Sequence, residues 1–435
     1  MQSQDGPVYV GLSGEVADLI VNFERKNGKH ENVIGFETAV NWSEATLGRR
    51  DPARAGRRAA PRAPPAPPAK TKECTKTASY TVEAGAVKFG DSPGSHATLR
   101  LPPRVKELSL SLSFRTFAPD GLLLLAPGTK TKPKHYMALL VREGKLRLYV
   151  RGRRRKELSL AASVSDGEWR EVTVRISRNR LVLSSGGAAS AAHAPPAARA
   201  PRLYVGGVPQ PLNNIPNSIL RVGGFLGCIR RVVVNDRAED LVRNAAAHHR
   251  VGQCFPNVER GAYFGGDAYA LWSSAWRPGE SGAEAAEMRL RFRTAEPSGL
   301  LLAATNLVLE LKDGAVVVTR LGATPALASA LGPGGRALCD GAWHGVQLRV
   351  ARAHVALALD AAPELRAGDA TLLDEDTAPA APLYVGGLPE GSTDGVDAQN
   401  FKGCIDDVSI GGQKRKWKDM EALHNVLLDS CPVTQ

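Results

Sequence analysis

The chain has 435 residues, of which 43% are hydrophobic and 23% charged, with a formal net charge of +12. That mixture is too apolar for a wholly disordered chain, and no apolar run reaches the roughly 18 residues of a membrane-spanning helix, so membrane insertion is not expected. A positive surplus this large favours polyanionic partners: nucleic acid, an acidic membrane surface or a sulfated glycan.

The opening MQSQDGPVYV has no basic flank followed by an apolar run, so it reads as sequence from inside a longer protein rather than as a secretory signal. Within residues 1–48, Val8-Tyr9-Val10-Gly11-Leu12 reads as the remnant of a preceding domain, and Asn41-Trp42-Ser43 is a glycosylation sequon at Asn41. Residues 49–73 hold six Pro among many Ala and Arg and are expected to form an extended linker. In it, Arg54-Ala55-Gly56-Arg57-Arg58 offers an R-x-x-R pattern, making Arg57 and Arg58 candidate cleavage residues for a furin-like protease. The competing reading is a plain basic spacer.

From residue 74 onward the same landmarks occur twice, in the same order and at nearly one spacing. Leu112-Ser113-Phe114-Arg115-Thr116 and Gly121-Leu122-Leu123-Leu124 return as Leu290-Arg291-Phe292-Arg293-Thr294 and Gly299-Leu300-Leu301-Leu302. Asp166-Gly167-Glu168-Trp169 returns as Asp340-Gly341-Ala342-Trp343, and Leu203-Tyr204-Val205-Gly206-Gly207 as Leu383-Tyr384-Val385-Gly386-Gly387. Phe225-Leu226-Gly227-Cys228-Ile229 returns as Phe401-Lys402-Gly403-Cys404-Ile405. The period is far too long for a solenoid, so each copy is a domain, taken here as residues 74–255 and 256–435. Within a copy the pattern is strand-like. Lys145-Leu146-Arg147-Leu148-Tyr149-Val150-Arg151 alternates, which predicts Leu146, Leu148 and Val150 inward and Arg147, Tyr149 and Arg151 outward. Arg170–Ile176 and His344–Val350 alternate too, and Gly, Pro and Asp turns separate the strands, which predicts an all-β antiparallel sandwich. Glu239–His249 is expected to form a short helix.

These landmarks resemble the laminin G-like module. The tandem as a whole resembles the last two G-like modules of a laminin α chain, most closely at the junction Cys254-Phe255-Pro256-Asn257-Val258-Glu259-Arg260-Gly261-Ala262-Tyr263-Phe264. The resemblance implies two tandem jelly-roll, concanavalin-like sandwiches, secretion, and residence in the extracellular matrix of basement membrane. It implies that the region ahead of the pair is a linker that is often cleaved, and that laminin β and γ chains join through a part of the protein N-terminal to this sequence. It also implies disulfides Cys228–Cys254 and Cys404–Cys431, which the repeat places at equivalent positions. Cys74 and Cys339 remain; Val164-Ser165 stands where Leu338-Cys339 does, so Cys339 is not part of the basic module. The hypothesis is that Cys74 bonds Cys339 and ties the two modules together. Zinc is the alternative, but there is no C-x-x-C and no Cys/His cluster in the sequence.

Family modules hold calcium at one rim with two Asp carboxylates and backbone carbonyls. In the first module those positions fall near His135 and at Ala198, neither an anionic ligand. In the second they fall near Thr305 and at Ala378, with Asp374, Glu375 and Asp376 close by, so calcium is a weak expectation there, through Asp374 or Asp376. Basic residues are dense instead. Lys130, Lys132 and Lys134 are expected in one loop, and Arg151, Arg153, Arg154, Arg155 and Lys156 at a strand end and its turn, with Arg147 on the face of Arg151. Guanidinium forks suit sulfate or carboxylate, so the expected ligand is a sulfated glycan of the heparin and heparan sulfate class. A smaller cluster, Lys414, Arg415, Lys416 and Lys418, surrounds Trp417. The expected function is cell adhesion through glycans and cell-surface receptors of the dystroglycan or integrin type. Calcium-dependent receptor-glycan binding and a hydrophobic-ligand carrier are the alternatives. No RNA motif, zinc finger or helix-turn-helix supports nucleic acid, and no paired carboxylates or nucleophile motif supports an enzyme. Asp166 and Asp340 each precede Gly-x-Trp, where turn chemistry accounts for them.

Overall fold

The computed structural model describes residues 17–21, 34–40, 74 and 80–433, the last apart from 102–106, 130–131, 153, 178, 194–200, 210–211, 213–214, 244, 277–284, 305–306, 321–325, 327, 352–353, 361, 369–380 and 391–397. The chain divides into two units, residues 1–69 and 70–435. In the first, Ala17–Val21 pairs antiparallel with Ile34–Val40. The second contains two antiparallel β-sandwiches.

Alternation builds the first sandwich. Along Leu108–Arg115, Leu110, Leu112 and Phe114 turn inward while serines fill the outward positions. One sheet runs Ala188–His193, Arg180–Ser185, Arg170–Ile176, Leu108–Arg115, Gly227–Val234, Val87–Phe89, Gly252–Gln253. The facing sheet runs Ala247–His249, His96–Arg100, Arg202–Val205, Gly121–Thr129, Lys132–Arg142, Lys145–Arg151, Arg155–Ser163. Phe89, Phe114, Phe225, Leu139 and Leu148 fill the space between them. The second sandwich repeats the plan around Phe264, Phe292, Leu309, Val346, Leu348 and Phe401. The cavities described lie where the two sandwiches meet or flank the joint, not between the sheets of either one.

The repeated landmarks have geometric roles. Gly206 sits at φ 75°, and a Cβ there would lie 2.2 Å from the Phe89 ring; Gly386 sits at φ 76°, with the Phe264 ring 2.3 Å from its Cβ position. Only glycine fits both the backbone and the space. Arg115 donates to the carbonyls of Phe255 and Pro256, each at 2.6 Å, and its guanidinium lies 4.8 Å from the Trp169 ring centroid. Arg293 repeats this, donating to Pro432 at 2.6 Å with Trp343 at 5.2 Å. Each arginine therefore grips the chain next to the second cysteine of its module, over the tryptophan of Asp-Gly-x-Trp. Asp166 and Asp340 accept the N–H groups of Glu168 and Ala342, which closes those turns.

Three disulfides are formed: Cys228–Cys254, Cys404–Cys431 and Cys74–Cys339, with Cα separations of 6.2, 5.7 and 4.9 Å. The third joins the segment ahead of the first sandwich to the interior of the second. A buried ion pair adds a second link. Lys88, 1% exposed, donates to Asp91 at 2.9 Å and to the Leu428 carbonyl at 2.6 Å, while Asp91 accepts the Leu428 N–H at 2.9 Å. The first module thus grips one residue of the second on both its donor and its acceptor. Tyr80, Phe255 and Tyr263 pack edge to face beside the joint.

Two expectations are corrected. Glu239–His249 is not a helix. Arg237–Glu239 and Ala247–His249 are short strands, the latter paired with His96–Arg100, and the Asp240 carboxylate accepts the N–H groups of Val242 and Arg243 in a turn between them. Tyr149 does face outward from the sandwich but is only 2% exposed. Ile215 and Ile219, in the segment after Gly207 that includes the short helix Asn217–Leu220, cover it together with Tyr136, Leu140 and Tyr204.

Candidate polyanion-binding face

Three neighbouring strands at one edge of the second sheet, Lys132–Arg142, Lys145–Arg151 and Arg155–Ser163, carry the basic residues. Leu146, Leu148 and Val150 point into the core, so Arg147, Tyr149 and Arg151 take the outer face. The register places Tyr136 opposite Arg151, and Arg151 opposite Arg155; it also places Leu140 opposite Arg147, and Tyr149 opposite Glu157. Lys132 and Lys134 are exposed and share the strand parity of Tyr136. They stand on a strand rather than in the expected loop, because Thr129 and Lys132 already pair across the hairpin. Arg154, Arg155 and Lys156 are exposed, and the latter two open the next strand. Lys130 and Arg153 lie outside the described residues.

The positive charges are not equivalent. Arg147 is held by Glu143 at 2.8 Å and Glu157 at 3.4 Å. The neighbouring Tyr149, followed by Glu143 and Glu157, pushes its guanidinium pKa further up, against burial. Arg155 lies 3.8 Å from Glu157, with its guanidinium 4.8 Å from the Tyr149 ring centroid. Lys132, Lys134, Arg151, Arg154 and Lys156 have no acidic partner among the described residues. Partner identity depends on cross-strand register, which a count of Arg and Lys along the sequence does not reveal.

The other sequence candidates are placed as follows. Lys414 pairs with Asp407 at 2.5 Å, and Trp417 packs edge to face on Phe264 at 5.8 Å, so this tryptophan serves the second core rather than an open surface. Arg230 pairs with Glu83 and lies 4.0 Å from the Trp169 ring centroid, a packing role. His135 is half-buried on its strand. Asp374, Asp376, Asn41, Arg57 and Arg58 lie outside the described residues, and among those described no three His, Cys, Asp or Glu side chains gather as metal ligands would. Sequence reasoning missed Tyr136, which has no solvent exposure and whose hydroxyl has no hydrogen-bond partner.

A family model described as the laminin G domain matches residues 114–237 and 292–413. Mouse laminin subunit alpha-1 is 28% identical over 374 residues, which are 80% of this chain and 12% of that protein. The human laminin subunit alpha-1 is 27% identical over 392 residues, 84% of this chain and 12% of the relative. Rat usherin is 26% identical over 335 residues, 70% of this chain and 6% of its own length. The chain therefore spans a small fraction of each of these relatives. Among solved structures, domains LG4-5 of the mouse laminin alpha1 chain superpose with a TM-score of 0.66 at 26% identity, covering 85% of this chain and 100% of that one. The LG1-3 region of the laminin alpha2 chain shares the fold at a TM-score of 0.54 and 18% identity, covering 80% and 66%. The two matched stretches fall one on each sandwich and together take in more than half of the residues, so the chain belongs to the laminin G domain family.

Proposed function

We propose that this pair of modules is an extracellular matrix adhesion element whose first module binds sulfated glycans of the heparan sulfate class, with cell-surface receptors engaging the same tandem. Membership of a family of non-enzymatic binding modules supports a binding role, and the laminin relatives support the matrix setting. The observation that carries the glycan reading is a set of unpaired cations on a sheet edge. Lys132, Lys134 and Arg151 stand on two hydrogen-bonded strands, Arg154 lies in the turn that follows, and none has an acid to neutralise it among the described residues; Lys156, also unpaired, sits opposite the core residue Val150 at the sheet edge. Their spacing is set by the sheet, so little ordering entropy opposes the binding of an extended polyanion. A compact cationic face of this kind binds by counterion release, and affinity falls steeply with salt.

Heparin-affinity elution tests this. Lys132→Ala/Lys134→Ala/Arg154→Ala should elute at clearly lower salt than the unmutated tandem, with or without a calcium chelator. Arg147→Ala should elute close to the unmutated protein, because Glu143 and Glu157 already occupy that guanidinium. Unchanged elution of the triple variant would reject the face; loss of binding on chelation would favour a calcium-dependent rim instead.

A further inference from the structure

The glycan reading above leaves open where on the face a single charged group of the chain is held. We propose that Tyr136, Arg151 and Arg155 form a subsite for one sulfo group, the phenol hydroxyl and both guanidiniums donating to its oxygens. The inference rests on the glycan reading and deepens it.

The three residues make one cross-strand row on the outer face, Tyr136 beside Arg151 and Arg151 beside Arg155. Like charges directly opposite across an antiparallel pair are unfavourable, so two facing arginines call for an anion between them. Arg151 has no acidic partner among the described residues. The carboxylate near Arg155 stands 3.8 Å away, beyond hydrogen-bond reach. Tyr136 supplies the independent observation. Its ring is fully buried, yet its hydroxyl is unpartnered, and a buried donor left unmade is costly and uncommon. Burial pushes that hydroxyl's pKa up while the charges of Arg155 and Arg151 pull it down, which places the phenol within the field of both guanidiniums and keeps it protonated at neutral pH.

The donor set selects the ligand's chemistry. A tetrahedral sulfo group offers three oxygens in three directions, and here the three donors stand on three adjacent strands. A planar carboxylate offers two oxygens whose lone pairs lie in one plane, so donors approaching from three directions align with it less well. The Tyr149 ring under Arg155 limits the motion of that guanidinium, so less freedom is lost when the anion arrives. The remaining exposed cations attract any polyanion, whereas this row distinguishes sulfated from merely carboxylated chains.

Tyr136→Phe tests the subsite, because it keeps the ring and removes only the hydroxyl. The probes are heparin and a desulfated, re-N-acetylated heparin that retains its carboxylates, titrated calorimetrically at fixed salt against the whole tandem. Heparin affinity should fall about tenfold, the order of one lost hydrogen bond to a charged group, while the melting temperature stays level or rises. The desulfated chain should bind both proteins weakly and alike. Arg151→Lys, which keeps the charge and loses the fork, should lower heparin affinity comparably, and it decides the matter if Tyr136→Phe does not fold. Unchanged heparin affinity in a folded Tyr136→Phe protein removes the subsite alone. An equal loss for both probes makes the row a carboxylate site and overturns the sulfo assignment. Failure of the unmutated tandem to bind heparin removes the glycan reading, and the subsite with it.

Discussion

Asp91→Leu should loosen the joint between the modules far more than its single carboxylate suggests. The change leaves the Lys88 ammonium in a site that is 1% exposed, with the Leu428 carbonyl as its remaining hydrogen-bond partner and the Asp429 carboxylate nearby, and strands the Leu428 N–H. Removing one partner of a buried ion pair costs about 3–5 kcal/mol. Lys88→Met should be milder, because the remaining carboxyl can take up a proton. Burial already pushes the Asp91 pKa up, with the charge and hydrogen bond of Lys88 opposing, and loss of Lys88 frees that rise. A raised folded-state pKa means the protonated form is favoured in the native state, so the Lys88→Met deficit should shrink as pH falls through the variant's new pKa, by about 1.4 kcal/mol per pH unit between that value and the lower Asp91 pKa of the unmutated protein. The double variant Lys88→Met/Asp91→Leu leaves only the two peptide groups of Leu428 unpaired, about 1–3 kcal/mol each if both stay dry. The double should therefore be no worse than Asp91→Leu alone, with a coupling of roughly 2 kcal/mol or more in the cycle. Urea unfolding supplies the energies, and small-angle scattering at pH 5 and pH 8 reports whether the modules separate. Additive single costs, or an Asp91→Leu cost below about 1 kcal/mol, would refute the claim that this pair holds the joint.

Two further perturbations probe the sandwiches themselves. His344 lies between Asp360 and Asp340, 3.0 Å from each; burial lowers its pKa, but the two hydrogen bonds and charges outweigh it, and the net shift is upward. Its stabilisation is complete below the unfolded value of about 6.5 and is lost as pH rises through the higher folded value. His344→Gln should flatten that fall in melting temperature, and an imidazole NMR titration with a midpoint at or below about 6.5 would contradict it. Gly206→Ala and Gly386→Ala should each cost about 2–5 kcal/mol, combining left-handed backbone strain with a methyl driven into Phe89 or Phe264. Gly85→Ala is the comparator in a melting experiment: its φ is 73° but nothing lies within 4 Å, so equal losses at all three sites would show that the close packing contributes nothing.

The duplication was readable because each landmark performs a geometric task that few residue types can do. A glycine under a phenylalanine ring, an arginine gripping carbonyls beside a cysteine, and an aspartate closing a turn all keep their identity in both copies. Alternation likewise exposed Leu146, Leu148 and Val150 as core. What could not be read came from contacts distant in sequence. Tyr149 occupies an outward strand position, and only the packing of Ile215 and Ile219 makes it buried. Lys88 looks like any strand lysine until Leu428 is seen beside it. Arg147 and Arg151 look alike along the strand, and only the structure shows Glu143 and the neighbouring strand's Glu157 at Arg147 while Arg151 faces Arg155.

Comparing the two copies separates scaffold from function. Glu143 and Gly144 turn between Lys132–Arg142 and Lys145–Arg151 with φ of 55° and 72°, and Asp313 and Gly314 turn between Leu307–Lys312 and Ala315–Arg320 with φ of 49° and 74°. Counted from these matching turns, Leu146 and Leu148 correspond to Val316 and Val318, and all four are buried. At the positions that face outward in the first copy, the two sequences diverge: Arg147 corresponds to Val317, and the same count along the sequence sets Arg151 against Leu321 and Tyr136 against Asn306. Inward positions on both hairpins answer to the same demand, a packed core, and stay apolar. Outward positions answer instead to whatever lies over them, and the first copy has two arginines and a phenol where the second has a valine, a leucine and an asparagine. Tyr136 answers to Ile215 and Ile219, which pack in the same cluster, and Arg147 to Glu143 and Glu157; of the three, only Arg151 has no such partner among the described residues, and it is the one left for the proposed sulfated ligand.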